Sequence, residues 1–314
     1  MKTKICSVGE CMIEIANIKN NIFQQSFAGD TLNFCNYIDK KYFDVSFLTA
    51  IGKTSVNRSV LEFINSKKIS TKLIKQVNSH EIGLYLIKNR NNGEKQFFYW
   101  RDNSAAKNYF NKIDFVSLFK NLKNFDYIYF SGITLSIIDP SKISNFVNLL
   151  KLLKNKKVKI IFDFNIRINR WTKKNLNNFL HSILSFVDIC FVSGEDLKFW
   201  KNDNSLSNFE KLINKYKIDH GIFRKNAKLT YSIQIKKKYT IRNKFIRKVI
   251  DTSGAGDGFN AAYVSNFIIH NDPALALKEA SLLGSKIIMQ KGAIVDVKYR
   301  ITIKTKRTKN FTNS

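Results

Sequence analysis

From residue 127 onward the chain alternates short apolar runs with longer amphipathic stretches, and no other feature restricts its fold so strongly. Residues 127–130, 158–162, 189–192 and 222–224 are apolar runs of strand length. Between them, 141–154, 172–186 and 208–216 carry apolar residues at helical spacing, with Thr172 placed as an N-cap. A strand that leads into a helix before the next strand cannot return as a tight hairpin. It crosses over to lie parallel to its neighbour, and the crossover helices cover the faces of the sheet. The rhythm is prefigured by a strand at 5–8, a helix at 31–41, a strand at 45–49 and a helix at 56–66. It closes with strands at 230–235 and 239–241 and helices at 255–269 and 273–289. The expected fold is α/β, with a mostly parallel central sheet covered on both faces. Ligands of such sheets lie at the carboxyl ends of the strands.

Two stretches break the rhythm. Residues 12–16 and 22–27 read as short strands around a polar turn, and 82–87 and 96–101 alternate with β-branched and aromatic residues. Asn91-Asn92-Gly93 between the latter two is a strong hairpin signal. These strands form a small separate sheet, a lid drawn from about 11–28 and 82–102. With no internal repeat and no long linker, residues 1–314 are expected to make a single domain. The basic, polar end at 304–314 is expected to fray.

Lys and Arg outnumber Asp and Glu 53 to 24, a net charge of +29. Nucleic-acid binding is one source of such an excess. Here the excess spreads over the whole length, among abundant Lys, Asn, Ile and Phe and only 2 Pro, which points to drift in composition. The longest acid-free stretch, 220–250 with Lys236-Lys237-Lys238, reads as a solvated hairpin. A nucleic-acid partner is therefore not expected. Cys6, Cys11, Cys35 and Cys190 form no CxxC pair and have no His at metal spacing, so free thiols in a reducing cytosol are expected. Glu10 and Glu14 interrupt the only early apolar run, and no run is long enough to span a bilayer. The expected location is the cytoplasm.

Chemistry concentrates at Asp251-Thr-Ser-Gly-Ala-Gly-Asp257, where small residues end in a carboxylate and open onto an apolar helix. At a helix start the N–H groups of Gly254, Ala255 and Gly256 lack partners and favour a phosphate. Asp257 beside that cradle is placed to take a proton from an attacking hydroxyl. In Phe27-Ala28-Gly29-Asp30-Thr31-Leu32-Asn33, Gly29 permits close backbone approach, while Asp30 and Asn33 offer an acceptor and an amide just before and within a helix. Tyr99 and Arg101 fall on one strand face, with Tyr85 projecting from the partner strand. Asp163-Phe-Asn165-Ile-Arg167 follows a strand end. Arg101 and Arg167 together suggest an anionic substrate, because guanidinium matches a carboxylate in a two-pronged fashion. Gly52-Lys53-Thr54 imitates the end of a P-loop, but position 47 is Phe where that motif needs Gly.

The order Asp-Thr-x-Gly-Ala-Gly-Asp resembles the C-terminal signature of the ribokinase-like (phosphofructokinase-B-like) carbohydrate kinases. Gly-Glu-Cys-Met-Ile-Glu at 9–14, Gly-Asp-Thr-Leu-Asn at 29–33, Phe-Tyr-Trp-Arg at 98–101, 125–133 and Gly-Ala-Ile at 292–294 resemble the 2-keto-3-deoxygluconate kinase branch. The resemblance implies the ribokinase-like three-layer sandwich with a β lid, and ATP-dependent phosphorylation of the 6-hydroxyl of 2-dehydro-3-deoxy-D-gluconate. It implies Asp257 as catalytic base and the Gly254–Ala255–Gly256 amides as anion hole. On the substrate side it implies Gly29, Asp30, Asn33, Tyr85, Tyr99, Arg101 and Arg167. On the ATP side it implies Ser193, Arg224 and Asn226 together with Gly254 and Gly256, and it implies a homo-oligomer. The family's Lys-x-Gly segment reads Arg224-Lys225-Asn226 here, and Asn tolerates the left-handed backbone that Gly supplies. Phe191-Val-Ser-Gly-Glu195-Asp196 stands where the family has Asn-x-x-Glu, one residue short, with Glu195 or Asp196 to organise Mg²⁺ through water. Ala28 replaces a Gly of many relatives.

Overall fold

The computed structural model describes residues 1–19, 22–89, 95–234, 237–297 and 299–301. The Asn91-Asn92-Gly93 turn, Lys236 and the 304–314 tail lie outside the described residues.

The chain opens with β1 (Thr3–Val8), crosses the pair β2 (Met12–Lys19) and β3 (Ile22–Ala28), and enters helix α1 (Asp30–Tyr37). Strand β4 (Phe43–Ile51), helix α2 (Ser55–Ser66) and the short β5 (Ile74–Gln76) follow. The chain then returns to the lid through β6 (Gly83–Asn89) and β7 (Lys95–Trp100). Helices α3 (Ala105–Lys112) and α4 (Phe115–Leu122) come next; the periodicity argument did not anticipate them. Their start signals were in the sequence: the Ser104 hydroxyl caps α3, and the Asp114 carboxylate accepts from the Val116 and Ser117 N–H groups at 3.0 and 3.1 Å. Both helices are short and aromatic-rich, and packing stabilises them more than helical preference does.

Regular alternation then takes over with β8 (Tyr127–Ser131), α5 (Gly132–Ser136), α6 (Ile143–Asn155) and β9 (Lys159–Asp163). It continues with α7 (Lys173–Ile183), β10 (Ile189–Ser193), α8 (Gly194–Lys201) and α9 (Leu206–Tyr216). Thr172 caps α7 through the Asn175 N–H at 3.2 Å. The chain ends in β11 (His220–Arg224), β12 (Leu229–Gln234), β13 (Lys237–Arg242), α10 (Ala255–His270) and α11 (Pro273–Ile287).

The nine-stranded sheet has the order β13-β12-β11-β10-β9-β8-β1-β4-β5. It is parallel from β11 to β5 and antiparallel only at β11–β12 and β12–β13. One apolar core lies under α4, α6, α7 and α9, with Phe130, Phe162 and Val192 facing them from the strands. A second lies on the opposite face under α1, α2, α10 and α11, with Ile5, Ile161 and Phe191. This is the three-layer arrangement expected. Helix α10 is buried along its middle, from Gly258 to Asn266, while its first turn at 255–257 stays partly exposed. The lid is a separate four-stranded sheet, β3-β2-β6-β7, with β2 parallel to β6 and the outer pairs antiparallel. No helix among the described residues is long and apolar enough to cross a membrane. All four cysteines are buried and free.

Candidate active site

Gly254 starts α10 with a left-handed backbone (φ 71°), and a Cβ there would stand 2.2 Å from the Ala293 carbonyl oxygen. Only glycine satisfies both conditions. Its carbonyl accepts the first helical bond, from the Gly258 N–H at 2.8 Å. Among the described residues, the N–H groups of Gly254, Gly256 and Asp257 have no acceptor. Ala255 differs from expectation: its N–H turns back onto the Thr252 carbonyl at 3.3 Å. The tight turn that bares its neighbours engages Ala255, and the N–H of Asp257 takes its place in the cradle. A 16-residue helix adds its dipole behind these donors.

Asp257 occupies the third position of α10. The Asn33 amide donates to its Oδ2 at 2.8 Å, while Asn33 Oδ1 accepts from the Gly29 N–H at 3.4 Å. Asn33 therefore joins the start of α1 to the start of α10. Gly29 is required for contact: a Cβ there would stand 2.4 Å from the Glu10 carbonyl oxygen. Asp30, the first residue of α1, accepts from the Asn165 amide at 3.0 Å. Burial, then the negative charge of Asp30, push the Asp257 carboxyl up from 3.8 to about 7, against the opposing pull of Asn33, Arg167 and Arg224. A carboxylate with that midpoint exchanges protons near neutrality.

Two further residues converge here from the carboxyl ends of β9 and β11. Arg224 donates through Nη1 to the Gly256 carbonyl and to Asn260 Oδ1, both at 3.1 Å, and so lies against the first turn of α10. Asp163 is buried, and its Oδ2 accepts from the Asn260 amide at 2.9 Å and the Tyr129 hydroxyl at 3.3 Å. Its Oδ1 has no hydrogen-bond partner, with Arg224 Nη2 at 3.8 Å. Burial raises its carboxyl to about 8. Sequence reasoning placed Asp163 at the end of a strand but assigned it no role; its burial beside Arg224 is a tertiary fact. The positions of Asn165 and Asn260 in the network went unread for the same reason.

The sugar-side residues divide. Arg167 is exposed, bears on Asp257 electrostatically and pairs with no carboxylate among the described residues. Tyr85 and Tyr99 are cross-strand partners with ring centroids 5.8 Å apart. Tyr99 is half exposed, whereas Tyr85 is buried and donates its hydroxyl to the Glu14 carboxylate, which also accepts from Ser26 Oγ at 2.9 Å. Tyr99 and Arg101 do not share a strand face as expected. Strand β7 ends at Trp100, and Arg101 turns inward to pair with the buried Glu10, which also accepts from the Ser104 hydroxyl. One arm of this guanidinium is already engaged within the protein.

The nucleotide-side expectations change most. Asn226 is not among the non-glycine residues with left-handed backbone. Its side chain instead closes the β11–β12 turn by accepting from the Lys228 and Leu229 N–H groups at 2.9 and 3.0 Å. Ser193 and Asp196 stand three apart, the full Asn-x-x-Glu spacing, and form a reciprocal capping box at the start of α8. Asp196 Oδ2 accepts from the Ser193 hydroxyl at 2.7 Å and Oδ1 from the Ile166 N–H at 2.8 Å. Oδ1 thus fixes the loop that carries Arg167 and Oδ2 closes the capping box, so both oxygens of Asp196 already serve the protein. Glu195 is exposed. Among the described residues no three His, Cys, Asp or Glu side chains converge as a metal cage. The donors present fit a cation carried by phosphates and water rather than one held by protein.

Comparisons with known proteins bear on the chain as a whole. The pfkB family carbohydrate kinase model matches residues 2–299. A Haemophilus influenzae protein named 2-dehydro-3-deoxygluconokinase is 30% identical over 301 residues, covering 93% of this chain and 96% of that protein. An Escherichia coli K12 protein of the same name is 29% identical, covering 94% and 98%. Among solved structures, a Thermotoga maritima 2-dehydro-3-deoxygluconokinase superposes with a TM-score of 0.79 at 18% identity, covering 94% and 95%. An Escherichia coli protein in complex with ATP and Mg²⁺ superposes with a TM-score of 0.82 at 16% identity, covering 93% and 94%. The solved structures support the fold.

Proposed function

Because this chain belongs to the pfkB family of carbohydrate kinases, we propose that it transfers the γ-phosphoryl group of ATP to the 6-hydroxyl of 2-dehydro-3-deoxy-D-gluconate. The observation that carries this reading is Asp257 in the first turn of α10, its carboxyl raised to about 7 beside unpaired helix N–H groups.

In this mechanism Asp30 accepts from sugar hydroxyls, and Arg167 grips the carboxylate of the sugar acid in a fork. Asp257 takes the proton of the primary hydroxyl as it attacks in line, a role worth roughly 10²–10⁴ in rate. The N–H groups of Gly254, Gly256 and Asp257 stabilise charge on the transferring phosphoryl oxygens, with Arg224 steadying the turn behind them. Glu195, exposed at the start of α8, would hold a water of the Mg²⁺ that would accompany ATP and offset its phosphate charge. The lid covers the sugar and excludes water. The reading includes a homo-oligomer joined through the lid, supported by exposed Ile22, Phe23, Phe97, Tyr99 and Trp100 on its strands. Light scattering on the eluted protein checks this; a monomer refutes it.

Coupled measurement of ATP consumption across sugar acids and neutral sugars tests the substrate. Arg167→Ala is the discriminating variant, because Arg101→Ala would also strip Glu10 of its charged partner. On the sugar acid, kcat/KM should fall by roughly a hundredfold or more, as expected when a charged hydrogen-bonding fork is lost. Equal turnover of fructose or ribose, unaffected by Arg167→Ala, would assign a neutral sugar instead. The engagement of Arg101 with Glu10 is the observation that favours that second reading.

A further inference from the structure

The lid touches the phosphate-cradling turn through an ion pair that the mechanism above does not use. Lys95, the first residue of β7, pairs with Asp251, the first residue of the glycine-rich signature. Asp251 is 5% exposed and is already an organiser of its own loop. Its Oδ1 accepts from the Ser253 N–H at 2.9 Å and its Oδ2 from the Gly292 N–H at 3.0 Å. The same two segments meet again where Gly254 packs against the Ala293 carbonyl. That carbonyl is fixed in turn by the Tyr37 hydroxyl of α1, which donates to it at 2.8 Å. A second link runs the other way, from Lys291 Nζ to the Asn17 carbonyl of β2 at 3.2 Å. A cavity of about 110 Å³, lined by Glu14, Phe27, Ile87, Lys95, Asp251 and Gly292, separates lid from loop here. Polar links bridge the gap beside a small apolar contact in which Ala293 packs with Met12, Ala28, Tyr85 and Ile87 of the lid.

We propose that Lys95 is a positioning residue through which the seated lid holds the phosphate cradle in its working shape. The ammonium adds a third partner to Asp251, which fixes the 251–254 turn relative to 292–293 and so sets where the Gly254 and Gly256 N–H groups point. When the lid lifts, Lys95 leaves with it and the turn loses that restraint. Phosphoryl transfer is thereby tied to lid closure, in line with the need to deny the phosphate to water. The physical basis is that a partly buried charged hydrogen bond is directional and fixes the turn's geometry, which the small apolar contact around Ala293 does not.

The inference rests on the kinase reading but not on the choice of sugar, so the assay uses whichever sugar of the panel the wild type phosphorylates best. Lys95→Met should lower kcat about ten- to a hundredfold, the equivalent of one charged hydrogen bond, while KM for the sugar stays within about threefold. Lys95→Arg should recover most of the loss. Independently of turnover, hydrogen exchange of the Ser253 and Gly292 amides with AMP-PNP bound should quicken by about tenfold in Lys95→Met while α11 is unchanged. Exchange alone decides if no sugar of the panel is turned over. Unchanged exchange at those amides, kcat within about twofold of wild type, or an Arg variant as slow as the Met variant overturns the proposal. A wild type that phosphorylates only neutral sugars would end the sugar-acid assignment and leave this one standing or falling on the same measurements.

Discussion

The raised carboxyl of Asp257 makes the pH dependence of this kinase unusual in a way that one substitution should reverse. An ordinary aspartate is fully ionised at pH 6, so a general base of that kind gives a flat rate profile above it. Here burial and the neighbouring Asp30 lift Asp257 from 3.8 to about 7. That makes its charged form about 4 kcal/mol costlier than in water. The base works only when ionised, so kcat/KM should fall as pH drops. With a midpoint near 7, about one-tenth is ionised at pH 6 and nine-tenths at pH 8, a rise of roughly tenfold. Asp30→Asn removes the second-largest cause while an amide oxygen remains to accept from Asn165. The midpoint should fall by about 1, and the rise between pH 6 and 8 should shrink to roughly twofold. Initial rates at ATP well below its KM report the free enzyme. Carbon-13 shifts of labelled aspartate carboxyls, without sugar, give the midpoint even if Asp30→Asn binds sugar poorly. A flat profile in the wild type, or a midpoint that ignores Asp30→Asn, would refute the electrostatic account of this base.

Arg101→Ala leaves Glu10 buried with only Ser104, so stability should fall by about 3–5 kcal/mol and the thermal midpoint by about 5 °C or more; a midpoint within about 1 °C of wild type contradicts the pairing. Asp163 titrates at about 8 in the folded chain against 3.8 ordinarily, so the folded state holds a proton that the unfolded state gives up, and stability declines as pH rises through that window. Asp163→Asn should therefore lose less thermal stability than wild type between pH 6 and 9, and parallel melting curves across that range would count against it.

Much of this molecule was legible because its signals are local. Periodicity located the strands and helices of the parallel sheet, Thr172 marked its helix start, and the Asp251–Asp257 stretch announced a helix start with free N–H groups. Helices α3 and α4 went unread although Ser104 and Asp114 were available as caps, since short aromatic helices are held by packing that no window of sequence contains. The small residues around Gly254 were readable as a cradle, but which N–H groups stay free was not. Ala255 is engaged by Thr252, and that depends on the turn's backbone angles.

The amino-acid order by itself determined the layered α/β architecture, the separate lid and the aspartate at a bare helix start. Each of these follows from neighbours within a few residues. Only the tertiary structure decided how the charges are spent. Arg101 goes to Glu10, Asp196 to the loop carrying Arg167, Lys95 to Asp251, and Asp163 is sealed beside Arg224. An ionisable group's partner and its burial are set by segments far away in the chain, and in a low-dielectric interior those two quantities fix both its charge and its use.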